Sequence, residues 1–171
     1  LNDSYFKKDD ILSEKDIEKV KDADENNKAF ERALHILSYR AHSEKELTDK
    51  LYKKFENQVV DEVIEKLKTI GFINDADFTE RYVEQSKKGE KLVRFELLKK
   101  GIDKDLVEKI ISSRNHGVEL DNARKIAEKV LKKYSLKPEQ IKKQKLYENL
   151  TRKGFSYDIY KEIIEDGGCL K

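Results

Sequence analysis

The sequence predicts an all-α protein: three tandem three-helix units forming an elongated, curved array, with a short N-terminal helix in front. The first of three observations behind this is a phrase that returns along the chain. It reads Glu46-Leu47-x-x-Lys50-Leu51-x-x-Lys54-Phe55, then Val93-Arg94-x-Glu96-Leu97-Leu98-Lys99-Lys100-Gly101, then Leu146-x-x-x-Leu150-x-Arg152-Lys153-Gly154. In each copy an apolar residue and a leucine stand four apart, which places them one above the other on a helix face. Second, Leu106-Val107-x-x-Ile110-Ile111 behind the second break is answered by Ile159-Tyr160-x-x-Ile163-Ile164 behind the third. Self-similarity at this period marks stacked helical units. Third, no segment alternates with period two for long enough to be a strand.

The elements follow in order. Ser13-Glu14-Lys15-Asp16 has the form of a capping box and opens a short helix through Ile17 and Val20. The polar run Asp22-Ala23-Asp24-Glu25-Asn26-Asn27 reads as a connector, so residues 1–28 form an N-terminal helix and linker. Unit one, 29–75, opens with the stripe Ala29, Phe30, Ala33, Leu34, Leu37. Its second helix is capped by Ser43-Glu44-Lys45-Glu46, with Ser43 and Glu46 as the reciprocal pair. Its third carries Val59, Val60, Val63, Ile64 and Leu67, stopped by Gly71. Unit two, 76–117, starts from Asn74-Asp75 with Phe78, Tyr82 and Val83. Gly89 breaks it, Leu92 to Leu98 form the next helix, Gly101 ends that, and Asp103 caps a helix to Ile111. Residues 112–120 read as a connector. Unit three, 118–171, runs from Ala123 through Leu131, restarts at Pro138 as a first helical residue, stops at Gly154, and resumes behind Ser156.

Charged residues make up 42% of the chain and apolar residues only 37%, against about 25% and 45–50% in ordinary domains. Seven Phe, eight Tyr and regular aliphatic spacing argue for a thin helical protein with much surface, not for disorder. The net charge of +2 hides an uneven spread. Residues 1–28 hold 6 basic and 9 acidic groups, and residues 115–171 hold 13 and 9. Cys169 has no partner, which excludes a disulfide framework and suits a reducing cytoplasm. No run reaches membrane-spanning length. A chain that opens on Leu1 and contains no Met is expected to lack its natural start.

No catalytic, cofactor or metal pattern emerges. His35, His42 and His116 have neither the i, i+4 spacing nor the glutamate companion of a zinc helix. The glycines stand singly, as helix stops do, and the acidic residues alternate with lysines as on a solvated face. The basic runs are more informative. Lys87, Lys88, Lys91, Arg94, Lys99 and Lys100 share one loop and helix, and residues 124–145 carry nine cations against Glu128 and Glu139. Such clusters fit an acidic protein or a phosphate-bearing partner, with lysine favouring diffuse attraction over base reading. Helices 104–111 and 157–165 lack the Arg, Asn and Gln that read base edges, so sequence-specific DNA reading is not expected. Few aromatics stand between the basic residues, which leaves base stacking poorly provided for.

The run Ala33-Leu34-x-x-Leu37-x-x-Arg40-x-x-Ser43-Glu44-x-Glu46-Leu47-x-x-x-Leu51 resembles the signature of the RecX family. So do Leu67-x-x-x-Gly71-Phe72-Ile73-Asn74-Asp75-x-x-Phe78 and Glu96-Leu97-x-x-Lys100-Gly101-Ile102, in the same order, within a similarity spanning roughly residues 12–165. The resemblance implies a cytoplasmic, non-enzymatic regulator of the RecA recombinase in bacterial DNA repair, recombination and the SOS response. It would lie in the groove of the RecA–DNA filament and reduce ATPase, strand-exchange and coprotease activity. Three departures stand out. Arg40-Ala41-His42-Ser43 replaces an Arg-x-Arg-Ser, so a cation is lost unless His42 protonates. Lys54-Phe55 replaces a Lys-Gly stop. The β-rich stretch that precedes Ser13 in longer members is not in these 171 residues.

Contacts with RecA are expected from Arg40, Lys50, Lys53, Lys54, Lys87, Lys88, Lys91, Arg94, Lys99, Lys100, Arg152 and Lys153, held by the caps Ser43, Glu46, Gly71, Gly101 and Gly154. A monomer without cofactor or metal, making at most weak direct DNA contact through its basic faces, is expected. The competing reading is a helical nucleic-acid-binding module that acts on DNA directly through those faces.

Overall fold

A computed structural model describes residues 14–165, and all the regular structure in that span is helical. The chain divides into two compact units, one up to Ile73 and one from Asn74 onward. The Ser13 cap and Cys169 lie outside the described residues.

The first unit contains α1 (Glu14–Tyr39), α2 (Glu44–Leu51) and α3 (Asn57–Thr69). The expected connector at 22–27 is not one: α1 runs unbroken for 26 residues. The stretch is polar but holds neither proline nor glycine, so nothing in it opposes helix. Lys28 pairs with Asp24 one turn back at 2.5 Å, and the Asn26 amide donates to Glu62 of α3 at 3.1 Å. A polar helix persists when such pairs support it. Ala29 and Ala33 of α1 are fully buried with Leu47 and Leu51 of α2 and Val60 and Leu67 of α3. Alanine lets α1 approach closely here, while the leucines fill the space between the three helices.

The second unit contains α4 (Asp75–Gln85), α5 (Glu90–Lys99), α6 (Lys104–Ser112), α7 (His116–Lys133), α8 (Glu139–Arg152) and α9 (Tyr157–Glu165). Val93, Leu97 and Val107 centre the core of α4 to α6, and Leu146, Leu150, Ile159 and Ile163 that of α7 to α9. The leucine of each recurring phrase and the apolar residue one turn before it are 1% exposed or less. The connector expected over 112–120 shrinks to three residues, because Asn115 caps α7 by accepting from the Gly117 amide at 2.8 Å. Gly117 to Leu120 are therefore helical. Pro138 sits at the cap just before α8 instead of inside it.

Three helix ends share one geometry. Gly71, Gly101 and Gly154 have φ of 76°, 82° and 86°. At each, the glycine amide donates three residues back (to Lys68, Leu98 and Thr151), and the next amide donates to Leu67, Leu97 and Leu150. That pair of bonds is the Schellman motif, which requires a left-handed residue that glycine adopts at least cost. After α2 no such turn forms. Phe55 donates instead to Leu51 at 3.1 Å, leaving Lys53 and Lys54 in an ordinary turn.

Candidate interaction surface

Around Arg40 the first unit builds a small polar cluster. The Ser43 hydroxyl is buried and accepts from the Glu46 amide at 3.2 Å, capping α2. The Arg40 guanidinium donates to both Glu46 carboxylate oxygens, at 3.1 and 3.4 Å, and to the Ala41 carbonyl at 2.9 Å. His42 is only 4% exposed. Its Nδ1 lies 2.9 Å from the Arg40 carbonyl and its Nε2 2.6 Å from the Lys50 ammonium. Those partners define a neutral ring that donates through Nδ1 and accepts through Nε2. Burial pushes its pKa down, and the neighbouring Arg40 and Lys50 charges add to that against the opposing Arg40 carbonyl bond. His42 is therefore not the replacement cation. It is instead an acceptor for the Lys50 ammonium.

Two outcomes follow for this cluster. Ser43→Ala is expected to lower the stability of the first unit by about 1 kcal/mol in urea unfolding, since one helix-end amide loses its acceptor. His42 has a lower pKa folded than unfolded, so its contribution to stability is complete above about 6.5, the ordinary histidine value. As pH falls below that, the unfolded chain takes the proton first, and stability declines through the folded pKa. Urea midpoints at descending pH should show this slope for the native chain and a shallower one for His42→Asn.

The twelve expected contact residues, four in the first unit and eight in the second, divide by what they already bind. The Lys88 ammonium lies 2.6 and 2.7 Å from the Glu96 oxygens, and Tyr82 donates to the same carboxylate at 2.5 Å. Burial alone would raise the Glu96 pKa, but these bonds and the Lys88 charge bring it below the usual range. Arg94 donates to Glu108 through Nε at 2.7 Å and Nη2 at 3.1 Å, which holds Glu108 low as well. Lys100 lies 5.8 Å from the ring centres of both Phe78 and Tyr82. Arg152 donates to Asn149 at 2.7 Å. Lys53, Lys54, Lys87, Lys91, Lys99 and Lys153 are exposed and have no ion pair among the described residues.

Backbone bonds bring two of the basic segments together. Gly89 donates to the Lys153 carbonyl at 2.9 Å, and Lys91 donates to the Gly154 carbonyl at 3.1 Å. The start of α5 thus takes the carbonyls left over at the end of α8. Glu119 of α7, 4% exposed, accepts from the Glu90 amide at 2.9 Å and caps the same helix from across the joint. Arg114 completes it by donating to the Ser86 and Lys88 carbonyls at 2.9 and 3.0 Å. Lys87, Lys91 and Lys153 consequently share one region. Lys99 and Lys100 stand at the far end of α5, about 15 Å away along its axis.

Few aromatics were expected between the basic residues, and α5 presents one. Phe95 is 62% and Leu98 41% exposed, between exposed Lys91 and Lys99. Positions 91, 95, 98 and 99 fall on one helix face. The periodicity does hold the signal: Val93 and Leu97 define the buried stripe, which leaves Phe95 pointing away from it. Phe72, beside the Gly71 turn, is likewise 57% exposed. Among the described residues no three His, Cys, Asp or Glu side chains converge as metal ligands, and no helix is long and apolar enough to cross a membrane.

The fold and surface define a helical-repeat protein whose exposed cations flank apolar side chains. Family models for the first and third three-helix domains of RecX match residues 29–67 and 118–164. The chain is 33% identical over 156 residues to the regulatory protein RecX of Listeria monocytogenes, covering 88% of this chain and 58% of that one. With the regulatory protein RecX of Bacillus velezensis it shares 37% over 165 residues, covering 94% and 63%. A crystal structure of RecX from Lactobacillus salivarius superposes with a TM-score of 0.74 at 34% identity, covering 84% of this chain and 97% of that one. The chain belongs to the RecX family. It spans about 58–63% of the length of these two curated relatives.

Proposed function

We propose that the chain is a non-enzymatic regulator of the RecA recombinase in the bacterial cytoplasm, binding the filament that RecA forms on DNA and reducing its activity. Its relatives are regulatory proteins of the RecX family, and three-helix units suit a long surface better than a closed pocket. The observation that carries the reading is the α5 face. A large exposed aromatic beside a leucine, flanked by lysines without ion pairs among the described residues, has the composition of an anchor for an acidic protein groove. The unpaired cations Lys53, Lys54, Lys87 and Lys153 extend the attraction. Arg40, Lys50, Lys88, Arg94, Lys100 and Arg152, already engaged within the fold, act by shaping the surface. Adding the protein to RecA on single-stranded DNA should slow ATP turnover in proportion to occupancy. Unchanged turnover at saturating protein and modest salt would refute the proposal.

A further inference from the structure

A second basic feature lies outside the α5 face, in the concave groove between α7 and α8. It has a volume of about 500 Å³ and is lined by Lys129 and Lys133 of α7, Lys145 and Arg152 of α8, and Lys153 behind them. Among the described residues, Glu148 is the one carboxylate in its lining; it is 2.7 Å from Lys145 and so already neutralised. Lys129, Lys133 and Lys153 have no ion pair among the described residues. Placing five cations around one concavity with one carboxylate among the described residues has an electrostatic cost that a bound polyanion would remove.

We infer that this groove binds the sugar-phosphate chain of single-stranded nucleic acid. Two features select that occupant over an acidic peptide. The cations form rows, Lys129 and Lys133 one turn apart on α7, Lys145 and Arg152 about 10.5 Å apart along α8, and so follow a linear chain of charges. The groove also contains the half-buried Tyr134 ring, the Asn149 side chain and apolar Ile126 and Val130. A nucleotide carries both a phosphate for the rim and a flat base for the ring, whereas an acidic side chain has no use for the latter. Lysine, a compact charge without the guanidinium fork, suits phosphate contact without base reading. A single strand can turn its bases inward, which a duplex cannot.

The test uses the whole chain and a fluorescent oligothymidylate, with no RecA present, so it stands or falls separately from the function proposed above. Anisotropy at low salt should show binding that weakens as salt rises. Lys129→Glu with Lys133→Glu should weaken it at least tenfold and flatten the salt dependence by about 1.4 in logarithmic slope, two contacts at about 0.7 each. Both lysines are exposed, so the fold should survive, as a native urea midpoint would show. Tyr134→Leu should cost about fivefold. Lys53→Glu with Lys54→Glu, in the other compact unit, should change affinity less than twofold. No binding by the native chain, equal binding by the groove variant, or equal displacement by polyglutamate at matched charge would each overturn the inference.

Discussion

Gly89→Ala should destabilise the second unit by at least about 3 kcal/mol, read as a lower midpoint and a broadened transition in urea. Gly89 has an ordinary φ of −71°, so backbone strain is not the cause. A β-carbon there would lie 2.3 Å from the Gly154 carbonyl carbon and 2.3 Å from the Phe155 nitrogen, both backbone atoms that no rotamer can move. The two segments would have to separate, and the bonds from Gly89 to Lys153 and from Lys91 to Gly154 would lengthen or break. Glu119 would then be left as a buried carboxylate without the amide it caps. Gly154→Ala should be as severe. Its φ of 86° disfavours alanine, and its β-carbon would meet Leu92 at 2.4 Å. Gly71→Ala is the control: the φ is 76°, but nothing lies within 4 Å of the added atom. Its cost should be left-handed strain alone, about 1 kcal/mol. Equal losses at Gly71 and Gly89 would refute a close-packed joint.

Phe95→Ala should raise the concentration needed for half-maximal inhibition of RecA turnover by roughly thirtyfold, equivalent to about 2 kcal/mol, if the α5 face is the anchor. Because the ring is 62% exposed, the unfolding free energy should change by no more than about 0.5 kcal/mol. Lys91→Glu with Lys99→Glu should weaken inhibition mainly at low salt, where attraction between surface charges is least screened. Arg94→Ala should behave differently, because its guanidinium is bound to Glu108. A small loss of stability with little change in inhibition is expected there. Inhibition retained by Phe95→Ala and lost by Arg94→Ala would move the anchor away from the exposed face.

Much of this molecule was legible without coordinates, and the errors have specific causes. The pairs Leu47/Leu51, Val93/Leu97 and Leu146/Leu150 identified the core because burial follows the helical period. Gly71, Gly101 and Gly154 read as helix stops because only glycine reaches φ near 80° without strain. Asp22 to Asn27 misled because a polar stretch looks the same in a loop and on a solvated helix. Asn26 reaching Glu62, 36 positions away, is invisible to a local pattern. His42 was left open for another reason. Its charge state depends on burial against Arg40 and Lys50, which composition does not carry.

By itself the sequence determined most of the helices, their period, the three glycine stops and the family resemblance. These depend on interactions within four or five residues, which neighbouring side chains and backbone preferences dictate. Only the tertiary structure decided which cations are spent on internal carboxylates and which have no ion pair among the described residues. It alone showed that Gly89 and Gly154 pack backbone to backbone, that Glu119 caps a helix 29 residues away, and that the lysines of α7 and α8 face one groove. Those facts depend on where distant segments meet, and a lysine bound to Glu96 looks the same in sequence as one facing water.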